Sequence, residues 1–153
     1  VEKTVNAFVG IGSNLGDREQ NLEKSIALIE NRIGKIINKG IVLETIPIDM
    51  DSEFKFLNTC IEIETSLCPI SLLRELKKIE LDLGRAIESK GKKLPRTIDL
   101  DILFYGNITY NSDELIIPHI SYHLRDFVLR PLSSISENFI DFRKKLSIKQ
   151  LIN

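Results

Sequence analysis

Apolar and polar positions along the chain switch several times between a period of two and a period near 3.6. Val5 to Ile11 is a short apolar strand, and Gly12-Ser13-Asn14-Leu15-Gly16 breaks it. Asp17 can then cap a helix, with Gln20 three residues on to complete a capping box. Leu22, Ile26, Ile29 and Ile33 follow at offsets of four, three and four, one apolar stripe that Gly34 stops. Ile41 to Thr45 reads as a second strand and Phe54 to Thr65 as a third. In the third, Leu57, Ile61 and Ile63 share one face, while Phe56 and Asn58 fall on the other. Pro69 suits the first turn of the next helix. That helix turns Leu72, Leu76, Ile79 and Leu83 inward and ends at Gly84.

Arg85 to Arg96 has neither period and reads as a mobile loop. Thr97 to Phe104 is the cleanest strand: Ile98, Leu100, Ile102 and Phe104 point one way, Thr97, Asp99 and Asp101 the other. Tyr105-Gly106-Asn107 is a hairpin turn into Ile108-Thr109-Tyr110. Shorter pieces follow: Leu115 to Ile117, a helical turn or two near Ser121 to Leu129, and a last helix from Ser147. The β-α-β-β-α-β order predicts an α/β (α+β) fold of the split βαβ, ferredoxin-like kind. A doubly wound parallel sheet fits less well, because strands two and three follow each other with no helix between.

At 153 residues the chain fits one domain, 1–153, with length enough to bury a core. Lys and Arg number 21 against 22 Asp and Glu, so no global field draws it to nucleic acid or membrane. No apolar run spans a bilayer and no secretory signal is visible. Cys60 and Cys68, the two cysteines, read as unpaired, partly buried thiols, which makes the cytoplasm the expected compartment.

Candidate chemistry begins at Asp99-Leu100-Asp101. A spacing of two on a strand sets both carboxylates side by side. Such a pair is either a solvated polar face or a holder for a hard cation with bound phosphates. Arg85, Lys90, Lys92, Lys93 and Arg96 precede it against one acid, Glu88, which favours a nucleoside triphosphate site. Gly10-Ile11-Gly12-Ser13-Asn14-Leu15 lacks the third glycine of a dinucleotide fingerprint and no Gly-Lys-Ser/Thr follows, so it reads as a structural turn. His119 and His123 are four apart, but no third zinc ligand stands near in sequence. His119, with Arg125 close by, suits a phosphate instead. Phe56 and Asn58 offer a ring to stack on and an amide to read an edge, or are simply core.

Together, Ile11-Gly12-Ser13-Asn14-Leu15-Gly16-Asp17, Phe56-Leu57-Asn58, Pro95-Arg96-Thr97-Ile98-Asp99-Leu100-Asp101-Ile102-Leu103, Pro118-His119, Arg125-Asp126-Phe127-Val128-Leu129 and Pro131-Leu132 resemble the hydroxymethyldihydropterin pyrophosphokinase family of folate synthesis. The resemblance implies a ferredoxin-like three-layer α-β-α sandwich with a mainly antiparallel sheet. It implies pyrophosphoryl transfer from ATP to 6-hydroxymethyl-7,8-dihydropterin, with two magnesium ions, giving AMP and the pterin diphosphate. Asp99 and Asp101 match the family's metal ligands, with Arg96 as a further catalytic residue. Thr45, Pro47, Phe56, Asn58 and Phe127 match its pterin pocket. Glu80, Arg85, Lys92, Arg96, Ile102, His119 and Arg125 match or stand near its nucleotide positions. The family also implies work beside, or fusion to, other folate-pathway enzymes. Two departures stand out: Lys93-Leu94 precede Pro95-Arg96 where the family has an aromatic and Gly, and Ile87 replaces a frequent second arginine. A rival reading is a non-catalytic ferredoxin-like module that binds a nucleotide or RNA, but acids on the best strand oppose phosphate unless a cation is present. Another is a relative that binds pterin without turnover.

Overall fold

The computed structural model describes residues 3–45, 55–84 and 97–152. The first half follows the predicted order closely. Strand β1 (Val5–Ser13) leads into helix α1 (Arg18–Arg32), whose N-cap Asp17 side chain accepts the Gln20 N–H at 3.1 Å. The glycines did not end the first strand where the pattern suggested: β1 continues through Gly12 and Ser13, because both are paired on each side or on one side by neighbouring strands.

A strand the pattern missed follows at once, β2 (Gly34–Lys39). Its side chains are mostly exposed and three of six are charged or amide groups, so no apolar alternation marks it. Gly34 both ends the helix and opens this strand. A Cβ there would lie 2.1 Å from the Glu64 carbonyl oxygen, so only glycine admits the pairing. β3 (Leu43–Thr45) is the remnant of the expected second strand. β4 (Phe56–Thr65) carries β3 and β2 end to end along one edge, β3 on Phe56–Asn58 and β2 on Ile61–Thr65.

Helix α2 (Pro69–Asp82) starts on Pro69 and is closed by Gly84 at φ +93°. Strand β5 (Asp99–Tyr105) then returns beside β1. Among the described residues the main sheet has five strands in the order β2-β4-β1-β5, with β3 also on β4, and every pairing is antiparallel. This is the ferredoxin-like order, with β5 at an edge.

After β5 the expected hairpin is absent. Gly106 turns the chain, but β6 (Tyr110–Asn111) pairs with β7 (Ile116–Ile117) and not with β5. The Ile117–Pro118 bond is cis. A 3-10 turn (Tyr122–Leu124) feeds α3 (Asp126–Ser136). A small hairpin, β8 (Ile140–Asp141) with β9 (Leu146–Ser147), leads to the terminal turn α4 (Ile148–Leu151), capped reciprocally by Ser147 and Gln150.

The two faces of the sheet carry separate cores. Ala7, Val9, Ile11, Ile61, Ile63, Leu100 and Ile102 meet Leu22 and Ile29 of α1 and Leu72, Leu76 and Ile79 of α2. Phe8, Cys60, Leu103 and Phe104 meet Tyr122, Leu129, Leu132 and Ile148 on the other side. The layers are therefore α-β-α. A bulge beside Phe8/Val9 leaves Leu103 unopposed and turns Phe104 away from Leu100 and Ile102, so that Phe104 sits in the second core and not, as the alternation predicts, in the first. No helix among the described residues is long and apolar enough to cross a membrane.

Candidate active site

The site runs from the α3 side of the sheet, where β1 changes character, around the β5 edge to the border of α2. Even-numbered residues of β1 face that side. Phe8 is a large core residue there, but Gly10 and Gly12 have no side chains. Gly12 stands opposite Asn58 of β4 on one flank and Asp99 of β5 on the other. Gly10 stands opposite Cys60 and Asp101. Directly opposed residues share a face. Asn58 and Asp99 thus look out across a strand with no side chain between them, about 10 Å apart by two interstrand spacings. A Cβ at Gly12 would lie 3.0 Å from Asn58 Oδ1 and 3.5 Å from Phe56 Cδ1. The glycines are therefore the floor of the site as well as part of a strand.

At one flank, Asn58 is 7% exposed and donates from Nδ2 to Thr45 Oγ1 at 3.0 Å. Thr45 pairs with Phe56 across β3 and β4, so Thr45, Phe56 and Asn58 form one corner. Pro47 lies outside the described residues.

At the other flank, Asp99 and Asp101 are half-buried on the edge strand. Glu80, 4% exposed on α2, accepts the Leu100 N–H at 2.8 Å. It thereby grips the backbone midway between the two aspartates. Asp99, Asp101, Glu80, Ile102 and His119 line one cleft of about 410 Å³, joined by Leu73 and Lys77 of α2 and the 113–116 stretch. Leu73, Lys77 and the 113–116 wall were missed by the sequence reading. Leu73, Lys77 and Glu80 do recur at helical spacing, but nothing local says that this stripe borders a cleft.

His119 is fixed by its own backbone. Its N–H donates to the Leu103 carbonyl at 3.0 Å, and its Nδ1 accepts the Ser121 N–H at 3.1 Å. The proton of the neutral ring therefore sits on Nε2. Burial, then the nearby Arg125 charge, lowers its pKa from 6.5 to about 4, against an upward pull from Asp99. Arg125 precedes α3, and its guanidinium lies 5.9 Å from the Phe127 ring centroid. No ring contact joins Phe127 to Phe56 among the described residues. Arg85, Lys92 and Arg96 lie outside the described residues, as does all of 85–96.

The donor set suits a hard dication. Two carboxylates stand side by side on a rigid strand over a glycine floor, and among the described residues no group of three or more His, Cys, Asp or Glu forms a self-sufficient cage. Magnesium typically takes one or two carboxylates and fills the rest of its octahedron with phosphate oxygens and water. Cys60 is buried, and burial pushes its thiol pKa up, so it is inert. Cys68 is exposed, not partly buried as expected, because it stands at the α2 N-cap.

The sequence model of the family described as 7,8-dihydro-6-hydroxymethylpterin-pyrophosphokinase (HPPK) matches residues 8–137. The chain is similar to the 2-amino-4-hydroxy-6-hydroxymethyldihydropteridine pyrophosphokinase of Bacillus subtilis, 39% identical over 132 residues, which are 86% of this chain and 78% of that protein. It is also similar to the folic acid synthesis protein fol1 of Schizosaccharomyces pombe, 36% identical over 142 residues, 91% of this chain and 19% of that protein. Wild-type Plasmodium falciparum HPPK-DHPS, solved with STZ-DHP, has the same fold at a TM-score of 0.79 and 19% identity, over 97% of this chain and 43% of that one. The chain thus spans most of the Bacillus relative and less than half the length of the other two.

Proposed function

The chain belongs to the 7,8-dihydro-6-hydroxymethylpterin-pyrophosphokinase family, and we infer that it transfers the pyrophosphoryl group of ATP to the hydroxymethyl oxygen of 6-hydroxymethyl-7,8-dihydropterin, giving AMP and the pterin diphosphate for folate synthesis. The row Asn58–Gly12–Asp99 carries this reading. It offers an amide that reads the edge of a flat heterocycle at one end and a phosphate-facing carboxylate at the other, with no side chain on the strand position between.

Each chain group then has a role. Phe56 and Phe127 stack on the pterin, and Asn58, held by Thr45, fixes its rotation in the plane. Pro47 lines the same pocket. Ile102 and the α2 stripe ending at Glu80 receive the nucleoside. Neutral His119 donates Nε2–H to a phosphate oxygen without adding charge, and Arg125 adds the charge. Arg85, Lys92 and Arg96 bind phosphates on the strength of the sequence motif. Asp99 and Asp101 would hold magnesium, two ions in this reading, which when bound would supply charge neutralisation at the phosphates and ease loss of the substrate hydroxyl proton to solvent. The pterin oxygen attacks the β-phosphorus in line, and AMP leaves. Alignment and charge neutralisation supply most of the rate, as in phosphoryl transfer generally. Residues 1–153 act as one pyrophosphokinase domain in the cytoplasm, beside or fused to other enzymes of the pathway. Free thiols support that compartment.

The test is AMP release from ATP and magnesium with and without the pterin. AMP that appears only with the pterin supports the reading. ADP as product overturns it, and pterin binding with no turnover identifies a relative that binds without catalysis.

A further inference from the structure

The C-terminal hairpin lies beyond the residues that the family model matches, yet it is tied to the segment carrying His119. The tie has two polar strands. Asp141 is 1% exposed, and its Oδ1 accepts the N–H groups of Arg143 at 2.8 Å and Lys144 at 3.0 Å, closing the hairpin turn. Its Oδ2 accepts the hydroxyl of Tyr122, which is itself 1% exposed and packs edge-on to Phe104 at 4.9 Å. Arg143 also sends an Nη2–H to the Ile117 carbonyl at 3.1 Å. One residue pair of the hairpin therefore grips the chain on both sides of His119.

That grip adds fixed polar bonds to a stretch otherwise placed by the apolar packing of Ile117 and Tyr122. From Pro118 to Arg125 it belongs to no strand, and the bond from His119 N–H to Leu103 O ties it to the sheet. The stretch passes straight into the groups at the mouth of the site: Arg125 N–H donates to the Tyr122 carbonyl at 3.1 Å, and the Arg125 carbonyl accepts the Leu129 N–H at 3.0 Å, starting α3. A shift of Tyr122 would move Arg125 and Phe127 with it. A buried aromatic alone can slide in its pocket; a hydroxyl aimed at a carboxylate oxygen cannot do so without losing the bond. Burial and the facing carboxylate push the Tyr122 hydroxyl pKa up, so it remains a donor.

We propose that Asp141 and Arg143 are positioning residues, which hold the 117–125 segment so that His119 and Arg125 meet the phosphates of the nucleotide. This rests on the reading of the cleft as a nucleotide site. It assigns a role in substrate binding to a hairpin that does not line the cleft.

The experiment compares Tyr122→Phe and Arg143→Ala with Ser147→Ala, which breaks the cap of α4 in the same hairpin region but neither tether. Arg143→Lys is the conservative rescue. Two readouts are taken on the full chain: amide hydrogen exchange without ligand, and magnesium-ATP affinity by calorimetry. The expected result is exchange at least five-fold faster at His119, Arg125 and Leu129 in Tyr122→Phe and Arg143→Ala, with ATP affinity weakened roughly three- to ten-fold. Ser147→Ala should leave both unchanged, and Arg143→Lys should recover part of each. Unchanged exchange in the two tether variants overturns the proposal. So does faster exchange with parental ATP affinity, or an equal loss in Ser147→Ala. If the parent itself binds no ATP, the functional reading has failed, and exchange alone then decides whether the tether exists.

Discussion

The two faces of the central sheet are made from alternate residues of the same strands, yet they do different work. Toward α1 and α2, β1 presents Ala7, Val9 and Ile11, and the contacts are mainly aliphatic, with Tyr105 beside Ala7. Toward α3 it presents Phe8, Gly10 and Gly12, which grade from a packed aromatic cluster to a floor without side chains. One face is packed against α1 and α2 and supplies stability, and at its β5 edge Leu73, Lys77, Glu80 and Ile102 border the cleft. The other is sealed at one end by Phe8, Phe104, Phe139 and Tyr122 and left bare at the other. The contrast shows how a thin sheet can carry a polar site: the carboxylates and the amide stand on a backbone whose reverse side is fixed by a close-packed core.

This contrast can be broken from either side. The largest effect is expected on the open face. Asp101→Ala should lower the AMP-forming rate by about 10³-fold or more, the scale of a lost transition-state charge contact, with the melting temperature nearly unchanged. Near-parental turnover in that variant would remove Asp101 from the metal assignment. On the sealed face, Leu76 is 0% exposed, and Leu76→Ala should cost about 2–5 kcal/mol in a urea titration, leaving the kinetic constants of the folded fraction intact. A large change in KM would show that the two faces are coupled.

Smaller effects sharpen the division within the open face. Phe127→Ala should weaken pterin binding by about 1–3 kcal/mol, the scale of a lost stacking partner, without altering ATP affinity. The two floor glycines should differ. A Cβ at Gly10 meets only Leu103 side-chain carbons, the nearest at 3.5 Å, whereas one at Gly12 reaches 3.0 Å from Asn58 Oδ1. Gly12→Ala should therefore raise KM for the pterin several-fold, about 1 kcal/mol, and Gly10→Ala should not. Equal effects would mean that Gly12 serves the strand and not the pocket.

The last effect, read in stability and not in activity, is a pH dependence from His119. Its ring takes a proton near pH 6.5 in the unfolded chain but only near 4 in the folded one. Between those values the unfolded state binds more protons, so stability falls as pH drops through that window and is fully present above it. Urea midpoints at pH 7 and pH 4.5 for the parent and for His119→Gln should show a shallower acid loss in the variant. Identical slopes would mean that His119 titrates alike in both states.

Much of this was legible in the residue pattern. The Asp17 cap, the α1 and α2 stripes, the alternation that sets Asp99 beside Asp101, and the ferredoxin-like order depend on local periods of two and 3.6. The pattern failed where a distant partner decided the outcome. β2 is polar and exists because β4 offers it an edge and Gly34 fits against Glu64. Phe104 changes face because of a bulge in its pairing with β1.

The same division holds for the site. The sequence by itself determined which groups were present: a carboxylate pair, an amide beside an aromatic, a histidine and a flanking arginine. It did so because residue type and short spacing are one-dimensional properties. The tertiary structure alone decided that Gly12 separates Asn58 from Asp99, that Glu80 grips the backbone between the two aspartates, and that a C-terminal hairpin steadies His119. Those relations join residues far apart in the chain, and only the packing of one strand or helix against another brings them into register.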